Sequence, residues 1–394
     1  MPAHNALDDY LQQYWEQAAV PPRLSRWGNA RNLVMHIGRI SLPHPLVSPN
    51  HKYFAGTQFY WDTYFTIIGL IESGKYDTAK AMVDNLIFLF RKFGFMPARN
   101  SLTSAGRTQP PFFTRMIWEV FETGIAGDAW LNRAMRIAVR EYETVWRHKR
   151  RLDKGSGLSR YCPRLFKKLL TVYESGWDVS TRFAFGRITL LPVDLNCLLM
   201  QYEKDIAAWL HYCNRPDEAA VWAQRMRDRQ GAISDYFWDG STGFFYDFDT
   251  ATRLRDDLKT LAGFFPLWCG AATQSQAEAV MKQLHVFRQV HGLTASEKLP
   301  WMHRQWDYPN AWPPLQLIVI EGLRNYGYRE LADEITGEWL QTVRAVYEKT
   351  GKVWEKYDAV RGQKGKRGRY PTQDGFSWTN GVYLRLATAQ GRKR

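Results

Sequence analysis

The stretch LMQYEKDIAAWLHYCNRPDEAAVWAQRM, residues 199–226, decides the fold. Leu199, Tyr202, Ile206, Trp209, Leu210 and Cys213 recur at spacings of three and four, which puts them on one face of a helix. Asn214 and Pro216 stop that helix, and Val221, Trp222 and Met226 begin another. Two amphipathic helices joined by so short a connection make a helical hairpin, the unit from which the rest of the chain reads.

The unit recurs on both sides. Over residues 75–93 the apolar positions Ala79, Met82, Val83, Leu86 and Phe90 mark another helical face, ended by Gly94 and Pro97. Residues 317–326 and 329–347 read as a further pair around Gly327. Alternating strand patterns are rare and short, the best being residues 244–248. An all-α chain of 394 residues without heptads or a Ser/Gly/Pro-rich linker can bury these faces by closing its hairpins into a ring. The whole chain, 1–394, is expected to form one domain, with residues 1–45 as an N-terminal extension packing on it. A ring of this kind leaves a concave mouth, where the connections between helices form a pocket.

Composition narrows the function. Aromatic residues reach 15%, with 17 Trp, an excess that serves either a core of large side chains or ring faces on which a sugar stacks. Cys162, Cys197, Cys213 and Cys269 are scattered, without CxxC pairs or nearby histidines, so neither a disulfide scaffold nor a metal site is expected. The start MPAHNALDDYLQQYW lacks the basic head and apolar run of a secretory signal. No stretch approaches the roughly 18 apolar residues of a membrane span, so a cytoplasmic protein without a membrane partner is expected. The net charge of +14 would suit a nucleic-acid binder. Its Lys and Arg are instead interleaved with apolar residues along helices, no recognised nucleic-acid module accompanies them, and nucleic acid is not expected as a partner. The one dense run is RGQKGKRGR at 361–369.

Five segments differ from ordinary helix connections: FYWDTYF (59–65), RTQPPFF (107–113), ESGWDVSTRF (174–183), QWDYPNAWPPLQ (305–316), and EKYD through QDGFSWTNG (355–381). Each joins a carboxylate or amide to aromatic rings beside Gly or Pro. That mixture suits a sugar, whose apolar faces stack on rings and whose hydroxyls pair with Asp, Asn, Gln or Arg.

These segments resemble the trehalase family. QWDYPNAWPPLQ is similar to its second signature and FYWDTYF to the end of its first. ESGWDVSTRF, RTQPPFF, PVDLN (192–196), EKYD and QDGFSWTNG match further blocks in order, over roughly residues 50–382. The resemblance implies a single (α/α)6 toroid as catalytic domain, hydrolysis of an α-glucosidic bond with inversion, a small-molecule glycoside as substrate, and no metal or organic cofactor. It places the general acid at Asp178 and the general base at Glu355. An inverting acid and base sit roughly 6.5–9.5 Å apart, leaving room for the attacking water. Asp178 must hold a proton near neutral pH, so burial or a nearby carboxylate should raise its pKa, with Glu174 as one candidate neighbour. Trp61 and Asp62 resemble the family's contacts to the glucosyl ring being cleaved and Arg107 the arginine of its RSQPP block, and Gln109, Glu174, Trp306, Asp307, Asn310, Arg369 and Trp378 complete the candidate substrate-binding set.

Two departures qualify the likeness. In HKYFAGTQFYWD the family's Arg and Glu positions hold Phe54 or Gly56 and Thr57, and Arg369 stands where the family has Glu. Arg pairs bidentately with carboxylates and phosphates, so the expected substrate is trehalose or a closely related α-glucoside, the alternative being a glucoside with an anionic aglycone, glucosylglycerate-like. A non-catalytic, sugar-binding descendant of the fold would be the other departure from the family.

Overall fold

The computed structural model describes residues 6–21, 38–164, 167–300, 304–365, 368 and 371–391. Arg369 and parts of the N-terminal extension lie outside them. The helices are α1 (Ala6–Ala18), α2 (Tyr60–Glu72), α3 (Tyr76–Phe93), α4 (Phe113–Glu122), α5 (Asp128–Glu141), α6 (Lys167–Glu174) and α7 (Val193–Tyr212). After them come α8 (Pro216–Phe237), α9 (Phe265–Cys269), α10 (Gln274–Lys282), α11 (Pro313–Asn325), α12 (Arg329–Thr350) and α13 (Ser377–Gly391).

Six of these form an inner ring. Each of α2, α4, α7, α9, α11 and α13 touches the next, and α13 returns to α2. Outside them α3 packs on α2, α5 on α4, α8 on α7 and α12 on α11, and this closed inner ring with helices packed around it is the architecture of an (α/α)6 toroid. Local sequence explains the difference between layers. In α3, burial falls on Ala79, Met82, Val83, Leu86 and Phe90, the single stripe of a helix with one wet side. In α2, every residue from Tyr60 to Leu70 is buried, polar ones included.

The seam between α13 and α2 depends on glycine. A Cβ on Gly69 would lie 2.4 Å from the Gly381 Cα, and one on Gly381 would lie 1.8 Å from the Phe65 carbonyl oxygen. Two helix backbones meet here with no room for side chains. The N-terminal α1 buries Leu7, Leu11, Tyr14, Trp15 and Ala18. Trp15 Nε1 donates to Ser73 Oγ at 3.0 Å, and Tyr14 donates its hydroxyl to the Pro49 carbonyl at 2.8 Å. Among the described residues no helix is long and apolar enough to cross a membrane.

Strands are confined to the connections. Residues 244–248, expected as one strand, divide into Phe244–Phe245, paired with Trp238–Asp239, and Phe248–Asp249, paired with Leu190–Leu191 and Leu254–Arg255. The break falls at Asp247, whose carboxylate is drawn inward to Arg182 and the Val193 amide. A second sheet joins Asn310–Ala311 to Tyr357–Asp358 and on to Gln363–Lys364. It clamps the QWDYPN segment beside the EKYD segment.

Candidate active site

The aromatic-carboxylate segments all lead into the N-terminal ends of inner helices, which brings them to one end of the ring. They are not all loops, as expected from sequence. Trp61 and Asp62 stand in the first turn of α2, and Trp378 in the first turn of α13. Periodicity missed these turns because helices buried on every side show no apolar stripe.

One cavity collects residues from all five segments: Trp61 and Asp62; Gln109; Gly176 and Asp178; Trp306; and Glu355 with Trp378. Phe54, Phe59 and Phe376 complete its wall. Phe54, one of the two residues assigned to the departing position of the first family signature, is thus part of the wall. The tryptophans pack as a cluster. Trp306 stacks on Trp312 at 3.8 Å and 3° between planes, and tilts against Trp61 at 5.7 Å. Trp378 meets Trp61 edge-on at 5.9 Å. The tryptophans divide between the cavity wall and the core. Trp61, Trp306 and Trp378 line the cavity, whereas Trp146, Trp177, Trp312 and Trp339 are core.

Asp178 enters the cavity from a tightly wound turn. Gly176 has φ of 76°, and a Cβ there would lie 2.8 Å from the Trp61 ring. Val179 has φ of 59°, a left-handed conformation that is a genuine outlier for a β-branched residue. The carboxyl opens onto the cavity while protein surrounds it on its other sides. Burial raises its pKa to about 7, Arg107 pulls the value down, and Glu355 pushes it up. The neighbouring carboxylate is thus Glu355 and not Glu174, which is consumed elsewhere. Glu174 accepts two hydrogen bonds from Arg151, at 2.7 and 2.8 Å, and one from the Thr108 amide at 2.9 Å. It braces the segment carrying Gln109 and does not line the cavity.

Glu355 is fixed on several sides. Its amide donates to the Gln373 carbonyl at 2.9 Å, and its own carbonyl accepts from Trp378 Nε1 at 2.8 Å. The Lys356 ammonium, fully buried, donates to Glu355 Oε2 at 2.9 Å and lies 4.9 Å from the Trp312 ring centre. Asp62, the third carboxyl in the cavity, is pushed well above the usual carboxylate range by burial and then by Asp178. Among the described residues no three His, Cys, Asp or Glu side chains group closely enough to hold a metal ion.

The remaining candidates separate. Arg107 lies outside the cavity wall in an adjoining cavity, near enough for its charge to reach Asp178. Asp307 accepts from the Thr181 amide and hydroxyl and from the Arg304 amide, tying the Trp306 segment to the Asp178 segment. Asn310 Nδ2 donates to the Gln305 carbonyl within that segment. Both are braces at one remove from the cavity, and Arg369 lies outside the described residues. Sequence reasoning passed over Arg182, which is buried behind Trp177. It makes two hydrogen bonds to Asp194 and two to Asp247, with its guanidinium 4.9 Å from the Trp177 ring centre. Its place inside ESGWDVSTRF, a cation in a segment otherwise read for its carboxylates, was the available signal.

If Asp178 delivers a proton, its elevated pKa has a direct consequence. The protonated form is the competent one, so kcat/KM should fall as pH rises through about 7. A rate profile flat from about pH 5 to about pH 9 on an unactivated glycoside would contradict that role.

A family model described as Trehalase matches residues 8–168 and 164–391. Among solved structures, the neutral trehalase Nth1 from Saccharomyces cerevisiae is similar with a TM-score of 0.78 and 30% identity, over 88% of this chain and 75% of that one. The GH63 mannosylglycerate hydrolase from Thermus thermophilus, in complex with Tris and D-glycerate, gives a TM-score of 0.69 at 18% identity. That match covers 97% of this chain and 100% of the other, and at such identity it speaks to the fold alone.

Proposed function

The chain belongs to the trehalase family and is a glycoside hydrolase acting on α-glycosides, and from that premise we propose that it hydrolyses trehalose or a closely related α-glucoside with inversion, using Asp178 as general acid and Glu355 as general base. The observation that carries the proposal is the meeting of these two carboxyls in one cavity walled by Trp61, Trp306 and Trp378.

The chemistry follows from the two environments. Asp178, held protonated by its surroundings up to about pH 7, donates to the glycosidic oxygen as the bond to C1 lengthens. Charge develops on the sugar ring in an oxocarbenium-like transition state. Glu355, paired through one oxygen with Lys356, accepts a proton from the water that attacks C1 on the opposite face. The tryptophan faces orient the sugar ring, and Asp62 supports the hydroxyls of the same unit. The segment of Gln109 forms the neighbouring wall.

Inversion has a stereochemical signature. The first-formed products from trehalose, followed by proton NMR, should be one α-glucose and one β-glucose per turnover. Two α-glucose molecules would indicate retention and remove Glu355 from the role of base. Glu355→Gln should lower turnover by about 100-fold to 10,000-fold with the fold intact. Near-normal hydrolysis by that variant would leave the base to be sought among the other cavity residues.

A further inference from the structure

A second cavity lies between the segment following α3 and the turns that follow α5, on the same end of the ring as the candidate active site. Its wall carries Arg107, Arg150, Arg151, Arg164 and His148. Two carboxylates act on this group: Glu174, already held by two hydrogen bonds from Arg151, and Asp178, whose charge reaches Arg107. Among the described residues, Arg107, Arg150 and Arg164 form no ion pair, whereas Arg115, Arg182, Arg187, Arg229 and Arg288 each pair with carboxylates.

Aromatic faces hold these guanidinium groups in place. Arg151 lies 4.9 Å from the Trp146 ring centre, Arg164 lies 5.2 Å from that of Phe95, and Arg107 lies 5.7 Å from that of Tyr173. Arg151 is only 2% exposed, and its Nε, like those of Arg107 and Arg150, is buried with no hydrogen-bond partner among the described residues. Arg151 is buried, Arg107 and Arg150 are half-buried, and Arg164 and His148 stand exposed at the opening; like charges gathered this closely repel. Burial and then the neighbouring arginines Arg151 and Arg164 push Arg150 down, and burial with Arg150, Lys149, Arg151 and Arg164 pushes His148 down. A folded chain retains such a cluster at a cost that a bound anion removes.

We propose that this cavity binds an anion, the phosphate or carboxylate group of a small molecule, on the rim beside the candidate general acid. Planar guanidinium forks match both groups. Arg107, on the wall of this cavity, stands two residues from Gln109 on the wall of the other, and its charge reaches Asp178. The anion therefore comes either from the substrate's own leaving group or from a separate small molecule bound next to it.

Calorimetric titration of the full chain with inorganic phosphate tests the site without any turnover, so its failure would leave the glycosidase reading untouched. One saturable site is expected. Arg150→Gln with Arg164→Gln, at positions outside the catalytic cavity, should weaken it by about ten-fold to a hundred-fold while hydrolysis of trehalose stays unchanged. Absence of saturable binding, or equal binding by the double variant with a wild-type circular dichroism spectrum, would overturn the proposal. Repeating the titration on Asp178→Asn protein saturated with an α-glucoside carrying a carboxylated aglycone separates the two sources. Loss of phosphate binding assigns the site to the leaving group, and its persistence assigns it to a separate anion.

Discussion

Asp178→Asn is expected to lower turnover of an unactivated α-glucoside by about 100-fold to 10,000-fold, with substrate affinity held within a few-fold. The amide keeps the shape of the carboxyl and cannot release a proton to the glycosidic oxygen. α-Glucosyl fluoride supplies the control, because fluoride leaves without protonation; the variant should hydrolyse it far better, relative to wild type, than it hydrolyses trehalose. Equal losses on both substrates would argue that Asp178 shapes the cavity and does not act as acid.

The same substitution has a stability signature whose sign can be worked out. In the folded protein the Asp178 pKa is raised from 3.8 to about 7, so the native state binds this proton more tightly than the unfolded chain does. Its contribution is fully present below about pH 4 and is lost as pH rises through about 7. Asp178→Asn does not titrate, so it should gain on wild type across that window and be the more stable protein at about pH 8. Denaturant midpoints at about pH 5 and about pH 8 measure the change, and a constant difference between the two proteins would contradict the raised pKa.

Arg182→Ala is expected to cost about 3–5 kcal/mol, the range for removing one partner of a buried ion pair. The guanidinium is 1% exposed between Asp194, 2% exposed, and Asp247, 5% exposed. Without it two carboxylates remain buried without the guanidinium that pairs with both. The effect should extend to the site, because Trp177, against which Arg182 lies, precedes Asp178 and packs on Trp306 at 5.4 Å. Arg182→Lys should recover only part of the loss, since an ammonium cannot present two parallel pairs of donors. Adding Asp247→Asn to Arg182→Ala should restore stability by removing one stranded charge. Denaturation of the single and double variants decides the matter; a loss below about 1 kcal/mol for Arg182→Ala would show that the cluster is not what holds this wall.

Local sequence carried the outer helices and their punctuation. The stripe over Ala79, Met82, Val83, Leu86 and Phe90 ends at Gly94, which has φ of 72°, and the pair at residues 199–226 turns between Tyr212 and Pro216. These features are short-range, set by side-chain periodicity and by residues that stop a helix. The five aromatic-carboxylate segments also named most of the cavity wall, because a site rich in rings, Gly and Pro is unlike a helix surface. What sequence could not reveal depends on contacts between distant residues. Ring closure requires Gly69 and Gly381 to meet across most of the chain, with no periodic trace of the encounter. Arg151 takes both oxygens of Glu174, and the carboxylate whose charge acts on Asp178 is Glu355. Asp307 and Asn310 likewise became braces only when their segment docked on Thr181 and on itself. Periodicity reports which face of an element is apolar; which charge meets which, and how dry the place of meeting is, exists only once the ring has closed.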